Sequence, residues 1–219
     1  MRKLCSFLMI FTMLLSGAAC SSNTTNKEVP STEPQENTPS PVPTENPENQ
    51  EVSAETTEGI SKSLVVYFSW SGNTENVAKS IQNQTDADIF EIIPQTPYSD
   101  DYDTVVDFAQ EEQRADARPA ISGSIENIAQ YDVVYVGFPN WWGDMPMILY
   151  TFFDSYDLSG KTIAPFCTSG GSGLSNTVNE IKDLEPNATV TEGLHIGSSS
   201  AANPDQAVDE WLREIGTIQ

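Results

Sequence analysis

The chain has 219 residues, of which 32 are acidic and 10 are lysine or arginine, so its net charge at neutral pH is −22. A surface this negative repels phosphate backbones, which excludes nucleic acid as an expected partner. The length suffices for one or two domains, but the composition changes so strongly along the chain that its parts must belong to different structural classes.

The first 19 residues have the pattern of a signal peptide. Arg2 and Lys3 precede an apolar run over residues 4–15, which is too short to cross a bilayer, and small residues follow as far as Cys20. The segment LLSGAAC resembles the lipobox of bacterial lipoproteins, in which the cysteine is lipidated. We therefore predict export and lipid attachment through Cys20 on the extracytoplasmic side of a bacterial cell membrane. Cleavage without lipidation, which would give a secreted protein, is the alternative.

The next segment, residues 20–61, is predicted to be a disordered acidic tether. Residues 21–60 contain six prolines, eight glutamates, one lysine and no aromatic residue. Such a composition cannot bury enough apolar surface to offset the entropy lost on ordering.

Residues 62–219 have the alternating pattern of one α/β domain. Apolar, β-branched runs predict five strands, at residues 63–68, 87–93, 133–138, 162–167 and 189–196. Helical patterns follow them at residues 74–82, 102–117, 145–156, 174–184 and 204–215. Strands that are apolar on both faces and alternate with helices indicate a doubly wound, five-stranded parallel sheet.

Ligands of such sheets bind beyond the carboxyl ends of the strands, which directs attention to three loops. The loop after the first strand reads Ser69, Trp70, Ser71, Gly72, Asn73, Thr74. Free N–H groups at a helix N-terminus can bind an anion without lysine or arginine. Neither GxxxxGK nor GxGxxG is present, so a nucleotide-hydrolase loop and a nicotinamide site are both disfavoured. We predict a phosphate monoester site, with ordinary helix capping by Asn73 or Thr74 as the alternative.

The other two loops predict a flat aromatic ligand. The loop after the third strand contains Pro139, Asn140, Trp141, Trp142 and Gly143. Two adjacent tryptophans between proline and glycine cannot both enter the core, so at least one should present its ring to the ligand; the alternative is that one is buried and the other covers a helix. The loop after the fourth strand contains Thr168, Ser169, Gly170, Gly171, Ser172 and Gly173. Its small residues let the backbone approach a ring, or they serve only as a flexible link.

These segments resemble the flavodoxin family. The likeness extends over residues 63–216 and is carried by YFSWSGNT, GFPNWWG and PFCTSGGSG. The resemblance implies a flavodoxin-like fold with strand order 2-1-3-4-5 and one noncovalent FMN. It also implies that residues 69 and 71–74 hold the phosphate, that Trp141 or Trp142 flanks the isoalloxazine ring, and that residues 168–173 line its pyrimidine edge.

The expected function is that of a low-potential one-electron carrier with a redox protein partner that offers a basic patch at the membrane. An FMN-dependent NAD(P)H or quinone reductase is the first alternative, and a non-catalytic flavin- or ligand-binding module is the second. His195 is predicted to be packed or exposed without a catalytic partner, and Cys167 to be an inert buried thiol. One histidine and one usable cysteine predict no metal site.

Overall fold

The computed structural model describes residues 61–219. The predictions for the signal peptide, for lipidation at Cys20 and for the tether lie outside the described residues. No helix within residues 61–219 combines the length and the apolar character needed to cross a membrane.

One parallel sheet organises the domain. In chain order the strands are β1 (Ser63–Tyr67), β2 (Asp88–Glu91), β3 (Ile93–Pro94), β4 (Ile121–Ser122), β5 (Val133–Pro139), β6 (Thr162–Ser169), β7 (Thr189–Val190) and β8 (Leu194–Gly197). The main sheet has the order β2-β1-β5-β6, and β7 and β8 both pair with the outer edge of β6. Every pairing in it is parallel. The parallel sheet and the order 2-1-3-4-5 of the five predicted strands are therefore confirmed.

Helices cover both faces of this sheet. They are α1 (Asn73–Thr85), α2 (Tyr102–Arg114), α3 (Met147–Ser155), α4 (Thr177–Leu184) and α5 (Asp205–Glu214), with a short 3₁₀ helix at Ile128–Gln130. Side chains alternate along β1, so that Val65 and Tyr67 pack with α1 and α5 while Leu64 and Val66 pack with α3 and α4. Two apolar layers result, which is why the strand sequences are almost continuously hydrophobic.

Two predicted strands are interrupted. The prediction of one strand over residues 87–93 is wrong at its end: β2 stops at Glu91, and β3 turns away to pair antiparallel with β4 in a separate two-stranded sheet. The predicted strand over residues 189–196 consists of β7 and β8. Between them Gly193 passes Leu174 so closely that a Cβ there would lie 3.0 Å from its methyl carbons. The strand is thus interrupted where the chain passes close to Leu174.

The helix predicted from residue 174 begins instead at Thr177. Ser175 has a φ of +51°, which is incompatible with a continuous right-handed helix. The residues before Thr177 thus belong to the loop at the carboxyl edge of the sheet.

Candidate functional site

The three loops singled out in the sequence meet at one edge of the sheet. They follow β1, β5 and β6, which are neighbours and parallel, so their carboxyl ends lie side by side. The hydroxyls of Thr74 and Thr168 are 2.9 Å apart and buried, and the Asn140 N–H donates to the Thr168 carbonyl at 2.9 Å. Hydrogen bonds thus join each loop to a neighbour, and the edge is one structural unit.

The first loop presents unpaired backbone amides. Within residues 61–219, no acceptor receives a hydrogen bond from the N–H groups of Ser71, Gly72, Asn73 or Thr74. The next amide, that of Glu75, donates to the Ser69 hydroxyl at 3.2 Å. Gly72 has a φ of +82°, which turns the chain into α1 and leaves these amides at the helix N-terminus. The loop therefore forms a concentration of free donors suited to an anion.

The predicted capping by Asn73 or Thr74 does not occur. The helix has no side-chain cap hydrogen bond at its first position, and the Thr74 hydroxyl is committed to Thr168. Because neither side chain caps the helix, the four free amides remain available.

Next to this loop is a cavity of about 370 Å³. Its walls come from the three loops and from α2: Trp70, Tyr102, Val105, Val106, Ala109, Asn140, Trp141, Trp142, Gly143, Gly170 and Ser172. A volume of this size, mostly apolar walls and a few polar groups are typical of a small-molecule site.

The two adjacent tryptophans have different surroundings. Trp141 packs edge-on against Phe68 and Tyr98, with ring centroids 5.5 and 5.3 Å away. Trp142 is 51% exposed, and its indole N–H donates to the Val106 carbonyl at 2.9 Å. Trp142 therefore has the more open ring face of the pair.

A tight turn holds Trp142 in this position. Trp141 and Asp144 exchange two backbone hydrogen bonds, and the two residues between them, Trp142 and Gly143, have φ values of +55° and +82°. This is the arrangement of a type I′ turn, in which a non-glycine residue is strained. The strain is located at the rim of the cavity, where a ligand would meet the ring.

The Asn140 side chain connects the second and third loops. Its amide nitrogen donates to the Gly173 carbonyl at 2.9 Å and to the Ser175 hydroxyl at 3.0 Å, while its oxygen accepts from the Gly143 N–H at 3.0 Å. Asn140 therefore orients both loops as well as lining the cavity.

Hydrogen bonds to side chains of β6 hold the glycine loop that follows this strand. The Gly173 carbonyl also accepts from the Cys167 thiol at 3.2 Å, and burial raises the pKa of that thiol to about 12. The Ser169 hydroxyl accepts from the N–H groups of Gly171 and Gly173. Of this loop, Gly170 and Ser172 line the cavity, whereas Thr168, Ser169, Gly171 and Gly173 are not among its walls.

The structure adds detail on three residues that the sequence analysis named. Trp70, whose role the sequence left open, lines the cavity and donates from its indole N–H to the Ser99 carbonyl at 2.8 Å. His195 is exposed, as one alternative predicted, but its Nε2 lies 2.8 Å from the Ser169 hydroxyl, a partner that the sequence did not identify. Pro139 ends β5 and does not line the cavity.

The contribution of α2 was missed from the sequence. Tyr102, Val105, Val106 and Ala109 form one wall of the cavity. Two adjacent valines make the apolar face of this helix wider than packing on the sheet alone would need. This feature of the sequence could have indicated that the helix also lines a cavity. Behind the helix, the Tyr98 hydroxyl donates to Glu112 at 2.9 Å, and burial raises the pKa of both groups.

Comparison with known proteins gives a consistent result. The profile of the flavodoxin family matches residues 62–215. A protein from Bacteroides eggerthii whose crystal structure describes it as a flavoprotein is 34% identical, with a TM-score of 0.65 over 73% of this chain and 99% of that one. A similarly described protein from Bacteroides uniformis is 31% identical, with a TM-score of 0.61 over 70% and 98% of the two chains.

A third similar structure was solved with a ligand. It is a flavoprotein from Lactobacillus acidophilus in complex with FMN, which is 24% identical, with a TM-score of 0.57 over 69% of this chain and 98% of that one. At this identity the likeness concerns the fold. No curated protein matches the sequence significantly.

Proposed function

Because this chain belongs to the flavodoxin family, we propose that it binds FMN noncovalently and serves as a low-potential one-electron carrier. The observation that carries the proposal is the pairing of four free backbone amides with an adjoining cavity walled by aromatic rings. FMN has a phosphate at one end and a flat ring system at the other, so it matches both parts at once.

The loop that precedes α1 would hold the phosphate. The free N–H groups of residues 71–74 would donate to its oxygens, and the positive end of the helix dipole would stabilise its charge. The Ser71 side chain is exposed and free to add a hydroxyl donor. No lysine or arginine belongs to this loop, so the site relies on neutral donors.

The cavity beside Trp142 would hold the isoalloxazine ring. Trp70 and α2 would form its other walls, and Gly170 and Ser172, which line the same cavity, would lie near its polar edge. Trp141 supports the arrangement from the core side through its edge contacts with Phe68 and Tyr98. These side chains would shield part of the ring from water and fix its orientation.

The surrounding charge favours transfer of single electrons at low potential. Residues 61–219 contain 24 acidic and seven basic side chains. When bound, FMN supplies the redox chemistry, and its potential depends on local charge and hydrogen bonding. An acidic envelope opposes the build-up of negative charge on the ring, which makes the second electron harder to add.

The proposed location is the extracytoplasmic face of a bacterial membrane. Lipidated Cys20 is the anchor, and the acidic segment up to residue 61 is the tether. An unstructured chain of this length spans roughly 35 Å, at about 5 to 6 Å times the square root of the residue number. That reach allows the carrier to meet a membrane redox protein, and its negative surface favours a partner with a basic patch.

The experiment that tests the function begins with the absorbance spectrum of the purified protein after addition of FMN and during stepwise reduction. We expect a bound flavin that takes up electrons one at a time and reduces a basic c-type cytochrome at a rate that falls with rising salt. Steady turnover of NADH with a quinone would instead identify a reductase. A protein that stays colourless with added FMN would indicate a binding module for another ligand.

Replacement of Trp142 tests the position of the ring. Trp142→Asn is expected to weaken FMN binding about tenfold or more, because stacking on an aromatic side chain contributes about 1–3 kcal/mol. The FMN-free protein should change in stability by less than about 1 kcal/mol. The lost hydrogen bond to Val106, of about 1 kcal/mol, is offset by relief of the positive φ, which costs a bulky residue about 1–2 kcal/mol and which asparagine tolerates well.

Titration of FMN and thermal unfolding with and without FMN measure these two effects. Trp142→Phe is the matched control, since it keeps a flat ring and the strained φ. Equal FMN affinity in the wild type and in Trp142→Asn would show that the indole does not contact the flavin.

A further inference from the structure

The Ser169 hydroxyl is saturated with hydrogen bonds. It accepts from the N–H of Gly171 at 3.2 Å and from the N–H of Gly173 at 3.1 Å, and it lies 2.8 Å from Nε2 of His195. A hydroxyl group has one hydrogen to donate and two lone pairs to accept with. Because the two glycine amides occupy both lone pairs, the hydroxyl hydrogen must point to His195.

This geometry determines the protonation state of the histidine. Nε2 can accept a hydrogen bond only when it carries no hydrogen, so the ring is neutral and its proton is on Nδ1. With both glycine bonds in place, the arrangement fits the neutral ring that carries its proton on Nδ1.

No carboxylate competes for the histidine. Within residues 61–219, no acidic oxygen lies within 4.0 Å of its ring nitrogens. His195 is aligned with Cys167 on β6, so its side chain is on the face of the sheet that α4 covers, while Ile196 faces α5. The titratable or charged groups on the elements around that face are Cys167, Glu180, Lys182, Asp183 and Glu192. Ser169 is the group to which the charge of the ring is coupled directly.

Protonation of His195 is incompatible with this set of three hydrogen bonds at the Ser169 hydroxyl. The imidazolium ion has a hydrogen on Nε2, which would point at the hydroxyl hydrogen of Ser169. The hydroxyl can then accept from His195 only by giving up one of the glycine amides. If Ser169 keeps its bond to the ring, the loop over residues 170–173 loses one of the hydrogen bonds that hold it in place.

The same loop lines the cavity through Gly170 and Ser172. From this we infer that His195 is a positioning residue for the glycine loop, and that its protonation weakens FMN binding by releasing that loop. The inference rests on the proposed function of the site.

The first test examines the histidine without any flavin. His195 is the only histidine of the chain, so nitrogen NMR of the histidine-labelled protein gives one unambiguous pair of ring signals. We expect a hydrogen on Nδ1 and none on Nε2 at pH 8. A hydrogen on Nε2 at that pH would overturn the inference.

The second test compares FMN dissociation constants at pH 8 and pH 5.5 in the wild type, His195→Gln and Ser169→Ala. Glutamine can accept from Ser169 but does not titrate. The FMN phosphate also changes ionisation here, but it does so equally in all three proteins. The wild type should lose about 3- to 10-fold more affinity on acidification than His195→Gln, the equivalent of one hydrogen bond.

Ser169→Ala should bind FMN more weakly at both pH values and should lose no more affinity on acidification than His195→Gln. If this variant kept the extra pH dependence of the wild type, the coupling would not pass through Ser169. If all three proteins bound FMN with the same pH dependence, the inference would be wrong and the proposed function would stand. If none bound FMN, the proposed function would fail, while the tautomer remained measurable.

Discussion

Ser71→Asp is expected to lower FMN affinity by about two to three orders of magnitude and to leave riboflavin affinity almost unchanged. Ser71 is exposed beside the free amides, so an aspartate there places a negative charge next to the phosphate without disturbing the core. Two unit charges about 4 Å apart near a protein surface repel by about 4 kcal/mol. Aspartate also accepts readily from helix N-terminal amides and would occupy the donors that the phosphate needs.

Riboflavin has the same ring system as FMN but no phosphate. A comparison of the two flavins therefore distinguishes phosphate binding from ring binding. The measurement is a fluorescence titration of each flavin into wild type and variant. The matched control is Ser124→Asp, which adds the same charge at an exposed serine near the opposite end of the sheet, where Ile125 lies in a groove with Leu64 and Tyr131. An equal loss of affinity for FMN and riboflavin in Ser71→Asp would show that this loop does not hold the phosphate.

The largest expected effect on stability is that of Gly137→Ala. Gly137 lies inside β5 directly across from Phe166 on β6, and both neighbours of Gly137 in the strand are fully buried. A Cβ at this position would lie 2.1 Å from the ring of Phe166, closer than any real contact. The phenylalanine is itself buried between the sheet and α5 and has little space to move. We expect a loss of about 3 kcal/mol in the free energy of unfolding, the upper part of the range typical of overpacked cores.

Chemical denaturation of the two proteins measures this loss. Gly197→Ala is the control, because Gly197 also lies in a strand of the sheet but has an open environment and an ordinary φ. It should change the stability by less than about 1 kcal/mol in either direction. A Gly137→Ala protein as stable as Gly197→Ala would mean that Phe166 does not cover Gly137 as the structure has it.

Much of the site could be predicted because its signals are local. Residues 69–74, 139–143 and 168–173 stand out as small, polar or aromatic segments directly after buried strands. The rule that parallel strands end at one edge was enough to bring them together. The position of α2 could not be predicted in this way. It is connected to the sheet by the segments that carry β3 and β4, whose pairing joins residues almost thirty positions apart.

The different surroundings of Trp141 and Trp142 also could not be predicted from local sequence. Their sequence context is nearly identical, yet Trp141 packs against Phe68 and Tyr98 while Trp142 reaches α2. The turn that separates them needs two positive φ values, one of them at a tryptophan, and no local preference favours that. Contacts from distant segments stabilise this strained turn.

Alternating apolar runs, helix patterns and loop composition were therefore sufficient to predict the parallel α/β architecture and the loops at its carboxyl edge. These properties arise from interactions within short segments and from burial, and both can be inferred from the types and spacing of neighbouring residues. The covering of Gly137 by Phe166, the bond between Ser169 and His195, and the wall contributed by α2 were decided by the tertiary structure. Each depends on side chains far apart in the chain, whose meeting is set by packing of the whole domain and leaves no local pattern in the sequence.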